Sequence, residues 1–185
     1  MAVAAAVSAV FVVYAVRLTV ADHDLELVRQ RTAASDIEAA IQAHDRMEEI
    51  QPRGGTPELY YSREMAAAAA RNTEREKQAR LWKQALEAGV RCVATCEQRA
   101  NAWYSLATLL AAQGDTRGVE RALRNAEAWA PNWFKPHWTL SLLLNMTGRQ
   151  QEAMAEAVTA VDRNGGKNPE VLATWLTFAN EVRRK

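Results

Sequence analysis

The chain of 185 residues has little glycine (8), proline (5) or cysteine (2), and its positive and negative charges nearly cancel. Because the residues that break helices are scarce and alanine is abundant, composition favours helices over strands. A content of 49% hydrophobic and 24% charged residues excludes a disordered chain. A net charge of +1 lacks the basic surplus with which nucleic-acid-binding proteins displace counterions, so we expect no nucleic-acid partner.

The residue types that carry metal or nucleophilic chemistry are also few. The histidines are His23, His44 and His137, and the sequence has no glycine-rich phosphate loop, HExxH motif or metal-spaced acidic cluster. Cys92 and Cys96 lie four residues apart in a predicted helix, where a disulfide fits poorly, so we interpret them as packed small side chains. We therefore predict no catalytic residue, no cofactor and no metal in this chain.

The longest apolar run lies at the amino end. Arg17 is the one charged residue before Asp22, and about 20 helical residues at about 1.5 Å each reach about 30 Å, enough to cross a bilayer core. We predict a transmembrane helix over residues 1–20. A signal peptide, which needs a basic region that is missing here, and a buried core helix are the open alternatives. No basic flank precedes the run, so the positive-inside rule assigns neither face of the membrane.

The second half of the sequence contains an internal repeat. Residues 100–133 carry a series of packing, turn and closing positions: Trp103, Leu106, Ala107, Leu110, Gly114, Val119, Leu123, Ala126 and Pro131. The same positions in residues 134–167 form a second series: His137, Leu140, Ser141, Leu144, Gly148, Ala153, Ala157, Ala160 and Gly165. Small positions stay small and turn positions keep turn-forming residues, which is typical of stacked helical hairpins.

Residues 100–133 and 134–167 resemble tetratricopeptide repeats. We predict a less regular repeat at 21–54, a long irregular hairpin at 55–99 and a capping helix at 168–185 that Asn168 and Pro169 open. The predicted fold class is all-α: an N-terminal transmembrane helix followed by an α-solenoid of tetratricopeptide-like hairpins with a C-terminal cap.

A narrower resemblance covers the segments 59–66, 101–115, 128–144 and 164–171. They resemble the carboxy-terminal tail of bacterial O-antigen ligase or polymerase-like membrane proteins, in which such hairpins follow the last transmembrane helix. The resemblance implies a longer parent protein that transfers or polymerises lipid-linked glycan at the inner membrane. Because it matches only the last span and tail, it carries over no catalytic residue, and enzymatic activity stays uncertain.

The hairpin pattern also predicts a binding surface. Side chains off the packing stripe of the first helices are expected on the concave face: Asn101, Tyr104, Thr108, Lys135, Trp138, Leu142 and Asn145. Tyr104 and Trp138 are candidates for an aromatic shelf that contacts an extended peptide or a sugar ring. The alternative is that both rings pack against the adjacent hairpin.

These observations predict a membrane-tethered scaffold for protein–protein interaction. The partner is expected to be a protein or peptide in the concave groove, with residues 1–20 in the bacterial inner membrane. On the narrower resemblance, the chain is part of an O-antigen ligase-like protein in cell-surface polysaccharide assembly. The alternative is a secreted or free-standing repeat protein with no link to glycan transfer.

Overall fold

The computed structural model describes residues 2–50 and 56–183, and in these ranges every regular element is an α-helix. The all-α prediction is therefore confirmed. The predicted boundary between residues 54 and 55 and the start of the apolar run at Met1 lie outside the described residues. The helices are α1 (Ala2–Ala33), α2 (Ile37–Ile50), α3 (Pro57–Arg71), α4 (Arg75–Thr95), α5 (Arg99–Ala112), α6 (Thr116–Trp129), α7 (Phe134–Met146), α8 (Gln150–Asn164) and α9 (Pro169–Arg183).

The chain divides into two compact units, residues 1–98 and 99–185. In the first unit α1 pairs with α2 and α3 pairs with α4, while α1 also packs against α3. In the second unit α5 pairs with α6 and α7 with α8, α6 contacts α7, and α9 packs on α8. Each pair is a helical hairpin, and the last helix is a single one.

Helix α1 changes character along its length. All side chains from residue 4 to residue 20 are exposed, whereas Ala21, Asp24, Val28 and Thr32 are buried. This spacing of three and four residues places the buried side chains on one face, against which α2 and α3 pack. The Arg17 side chain donates from Nε to the carbonyl oxygen of Ile50 at 2.7 Å, at the last residue of α2. The apolar segment and the first hairpin thus share one unbroken helix.

Turns and small residues fix the hairpins of the second unit. Gly114 and Gly148, which occupy the same position in the two repeats, both have positive φ (75° and 80°), a conformation that glycine adopts without steric cost. The side chain of Asp115 caps α6 by accepting from the backbone N–H of Gly118 at 2.9 Å. Ala126 and Ala160 are fully buried, where their small side chains let helices approach closely.

The two cysteines form a disulfide, so the expectation that they remain unpaired was wrong. Helix α4 ends at Thr95, and Cys96 has an extended backbone (φ −72°, ψ 141°). Because Cys96 has left the helix, the geometric objection to a bridge between two positions within one helix does not apply. Both sulfur-bearing side chains are buried in the first unit.

Candidate functional site

The seven side chains predicted to form a binding surface lie on two first helices of the second unit. Asn101, Tyr104 and Thr108 are on α5, and Lys135, Trp138, Leu142 and Asn145 are on α7. Thr108, Lys135 and Leu142 are exposed, and the other four are half-buried. Whether they bind a partner stays a prediction.

Each of the two aromatic rings of this set hydrogen-bonds to the helix that follows its own hairpin. The hydroxyl groups of Tyr104 and Thr139 are hydrogen-bonded at 3.0 Å, and Trp138 Nε1 donates to the hydroxyl of Thr174 at 3.0 Å. The Tyr104 ring also lies 5.0 Å from that of Trp133. Positions 104 and 138 are equivalent in the two repeats, and their side chains connect α5 to α7 and α7 to α9, although their threonine partners differ by one position in the repeat. These contacts agree with the alternative in which the rings pack against the adjacent hairpin.

Two apolar side chains on α7 are exposed. Leu142 is 37% exposed, and Met146, one helical turn further on, is 84% exposed. By helical spacing they lie on the same face as Lys135 and Trp138. Sequence analysis missed Met146, although its position four residues after Leu142 is a signal that would have identified it.

A cluster of ionisable groups joins α6, α7 and α8. His137 Nδ1 lies 2.8 Å from Glu156 Oε2 and 3.2 Å from Glu127 Oε1, and Arg124 forms ion pairs with both carboxylates. Hydrogen bonding to Glu127 and Glu156 raises the pKa of His137 to about 9, against the opposing effect of burial. Burial raises the pKa of Glu156, but bonds to His137 and Arg124 outweigh it and lower that pKa.

The charges of this cluster explain its role. Two carboxylates face one guanidinium and one protonated imidazole, so the four charges balance. A metal ion held by Glu127, His137 and Glu156 would have to replace the proton on His137 and compete with Arg124 for the carboxylate oxygens. The cluster is therefore a structural connection between three helices, in which His137 occupies the position of the repeat tryptophan.

A second cluster joins α2, α3 and α4 in the first unit. His44 Nε2 lies 3.0 Å from Glu58 Oε1, and its ring stacks on Tyr61 with centroids 3.6 Å apart. Arg91 lies 3.0 Å from a Glu48 oxygen and 3.4 Å from Glu58. Burial raises the pKa of Glu58, but the bond to His44 and the nearby Arg91 outweigh it and lower that pKa. Burial also raises the pKa of the Tyr61 hydroxyl.

The amino-terminal helix is long and apolar enough to cross a membrane, judged by length and composition. The span from residue 4 to residue 33 contains an 18-residue window with a mean hydropathy of 2.0, and only 6% of that window is buried. This low burial contradicts the alternative of a buried core helix. The transmembrane and signal-peptide interpretations both fit the exposed segment.

The antiparallel helix pairs, the regular spacing of the two repeats and the buried alanines together define a tetratricopeptide-repeat fold. Solved structures share this fold. The chain matches a thermophilic tetratricopeptide protein of Thermus thermophilus, TTC0263, with a TM-score of 0.64 and 18% identity, over 86% of this chain and 81% of that one. It matches the MamA protein with a TM-score of 0.58 and 13% identity, over 87% of this chain and 81% of that one.

At these identities the likeness shows the fold alone. No protein-family model matches the chain. No curated protein matches it either. The tetratricopeptide part of the resemblance is thus confirmed at the level of the fold, and the resemblance to O-antigen ligases stays a prediction.

Proposed function

We propose that the chain is a membrane-tethered tetratricopeptide scaffold that holds a protein or peptide partner. The observation that carries this proposal is the exposed apolar segment of residues 4–20, which continues without a break into the first helical hairpin. A water-soluble protein rarely leaves so long an apolar helix uncovered, because burial of apolar surface is the main favourable contribution to folding. A bilayer would cover this segment and leave the hairpins in water.

The partner surface that we propose is the face of α5 and α7 that carries the seven predicted residues. Leu142, and Met146 at the end of α7, supply exposed apolar area. Lys135 supplies a charge at one end, and the rings of Tyr104 and Trp138 are held by their hydrogen bonds to α7 and α9, respectively. Aromatic rings held in this way beside exposed apolar side chains suit an extended or helical peptide, since little side-chain entropy is lost on binding.

The disulfide supports a location for the hairpins on the oxidising side of a membrane. Disulfides persist in the periplasm and outside cells and are rare in the cytosol. Cys92 and Cys96 are paired in the first unit, which also contains the apolar segment. We therefore propose the periplasmic face of a bacterial inner membrane. On this proposal the chain organises glycan assembly, and the chemistry belongs to other parts of a longer protein.

Membrane extraction tests the tether. After expression of the full chain, we expect it to remain in the membrane pellet through alkaline carbonate washing. Replacing Val12 and Val13 by Glu should release it, because two charges at the centre of a span cost about 5 kcal/mol or more. The matched control replaces Gln30 and Ala34, which are exposed near the end of α1, by Glu. Release of the unmodified chain by carbonate would refute the tether and favour a free-standing repeat protein.

Site-specific photocrosslinking tests the partner surface. A photoreactive phenylalanine at Leu142 should capture a discrete protein or peptide in cells, whereas the same probe at the exposed Val158 on α8 should not. Met146→Asp should remove the crosslink at position 142 without loss of helicity. Equal capture from both positions, or capture that Met146→Asp leaves unchanged, would refute the surface.

A further inference from the structure

Three side chains of the kind that bind metal ions meet in the first unit, between its two hairpins. His44 and Glu48 lie about one helical turn apart on α2, and Glu58 lies in the first turn of α3. One donor atom from each of the three lies within 4.8 Å of the other two. The expectation of no metal rested on motifs within the sequence, and this group comes together only in the fold.

The distances in this group suit a small divalent ion. His44 Nε2 lies 3.0 Å from Glu58 Oε1. Bonds from zinc to a histidine nitrogen or a carboxylate oxygen are about 2.0–2.2 Å long, so two donors at this separation can hold one ion with an angle of about 90° between the bonds. A shift of about 0.4 Å would open that angle to the tetrahedral one. Imidazole nitrogen combined with carboxylate oxygen is a donor set that zinc accepts.

The two carboxyl groups also contact each other. Glu48 lies within hydrogen-bonding reach of Glu58, and burial followed by this contact raises the pKa of Glu48. Two carboxylates this close repel unless a proton or a cation lies between them. In the cluster of the second unit, His137 Nδ1 contacts both carboxylates, so one proton serves both. In the first unit the imidazole of His44 bonds to Glu58, and Glu48 contacts that carboxyl directly.

Arg91 holds the two carboxyl groups by other oxygens. Its Nε lies 3.0 Å from Glu48 Oε1, and its Nη2 lies 3.4 Å from Glu58 Oε2, whereas His44 is at Glu58 Oε1. Carboxylates that ligate a metal are in turn hydrogen-bonded, and such a contact orients them. The side chains of Glu48 and Arg91 are 36% and 41% exposed, so this side of the cluster is open to water and to a small ion.

We propose that His44, Glu48 and Glu58 bind one Zn²⁺ ion, which joins the first hairpin to the second. The ion takes the place of the proton between His44 Nε2 and Glu58 Oε1, and that proton leaves to solvent. Water completes the coordination. Because α2 pairs with α1 and α3 pairs with α4, bound zinc holds two hairpins together. The partner surface that we propose lies in the other unit, so the zinc site does not depend on it.

Calorimetric titration of the full chain in detergent micelles, after treatment with a chelator, tests the proposal. At pH 7 we expect one Zn²⁺ ion to bind per chain with a Kd below about 10 µM, weaker than at structural sites with four ligands. Mg²⁺ should bind at least about 100-fold more weakly, because it prefers octahedral sites of oxygen ligands. Zinc should also raise the thermal midpoint, since it binds the folded chain. The absence of saturable zinc binding would overturn the proposal.

Matched variants locate the ion. Glu48→Gln should weaken zinc binding by about 10-fold or more, because it removes a charged ligand from the exposed side of the cluster. Glu49→Gln, at the exposed next residue of α2, should change it by less than about twofold. Equal losses in the two variants would show a general charge effect and refute the site.

The other two histidines of the chain provide a second control. His23→Gln and His137→Gln should leave both the Kd and the zinc-induced rise in the thermal midpoint unchanged. If either variant abolishes binding while Glu48→Gln retains it, the ion sits at that histidine and the proposed site is wrong.

Discussion

The ion cluster around His137 makes the stability of the second unit depend on pH. In the folded chain Glu127 and Glu156 raise the pKa of His137 to about 9 from the ordinary value of 6.5. That difference corresponds to about 3.4 kcal/mol of unfolding free energy. His137 Nε2 is buried without a hydrogen-bond partner in the described part of the chain, which costs free energy. The Arg124 side chain of the cluster is exposed, so solvent screens its ion pairs. We therefore expect a smaller contribution, about 1–2 kcal/mol.

The sign follows from the raised pKa of the folded state. The stabilisation is fully present below pH 6.5, decreases between pH 6.5 and about 9, and is lost above about 9. Urea unfolding followed by tryptophan fluorescence at pH 6 and pH 9.5 measures it. The loss between the two pH values should be about 1–2 kcal/mol greater in the unmodified chain than in His137→Gln.

A matched variant controls for the loss of an imidazole. His23 is exposed on α1, in the other unit, so His23→Gln should reproduce the pH dependence of the unmodified chain. If His137→Gln shows the same pH dependence as His23→Gln, the cluster does not hold a protonated His137, and the reasoning from its geometry is wrong.

Four further changes test the packing. Ala126→Leu should lower the unfolding free energy by about 1–3 kcal/mol through overpacking, whereas Leu at the exposed Ala155 should be nearly neutral; equal effects in urea titrations would contradict the assigned core. Tyr104→Phe should cost about 0.5–1.5 kcal/mol in the same titrations, with helicity retained, because it removes one hydrogen bond from α5 to α7. Trp138→Phe should cost more, because it removes part of a half-buried ring as well as the hydrogen bond to α9. Cys96→Ser should cost about 2 kcal/mol, and a reductant should bring the unmodified chain to the same value; no effect of either would argue against the disulfide.

The regular part of the fold was predictable because each of its signals is local. Gly114 and Gly148 recur at the same position of each repeat, and both adopt the positive φ that the turns require. Ala126 and Ala160 are small where two helices touch, and both are fully buried. Because every hairpin packs mainly on its neighbours, equivalent sequence positions have similar surroundings in each repeat.

The ionic and covalent contacts were not predictable in the same way. His44 and Glu58 meet across two helices, and nothing in the spacing of 14 residues indicates which polar side chain on one helix faces which on the next. The prediction that the cysteines stay unpaired depended on where α4 ends. An error of one residue in that boundary decides whether Cys96 is helical, and therefore whether a disulfide to Cys92 is possible. At the candidate surface, helical spacing gave the correct helices but not the hydrogen bonds that orient Tyr104 and Trp138.

The continuity of α1 gives the chain a mechanical property. Residues 2–33 include neither glycine nor proline, and the helix has no interruption between the apolar segment and the first hairpin. Val16 and Thr32 are separated by about 24 Å of axial rise without a flexible joint. If a lipid bilayer holds residues 4–20, α1 acts as a lever arm: a change in the tilt of the anchor swings α2 and α3, which pack on its far half, through the same angle. Bilayer thickness would then set the direction in which the first unit points.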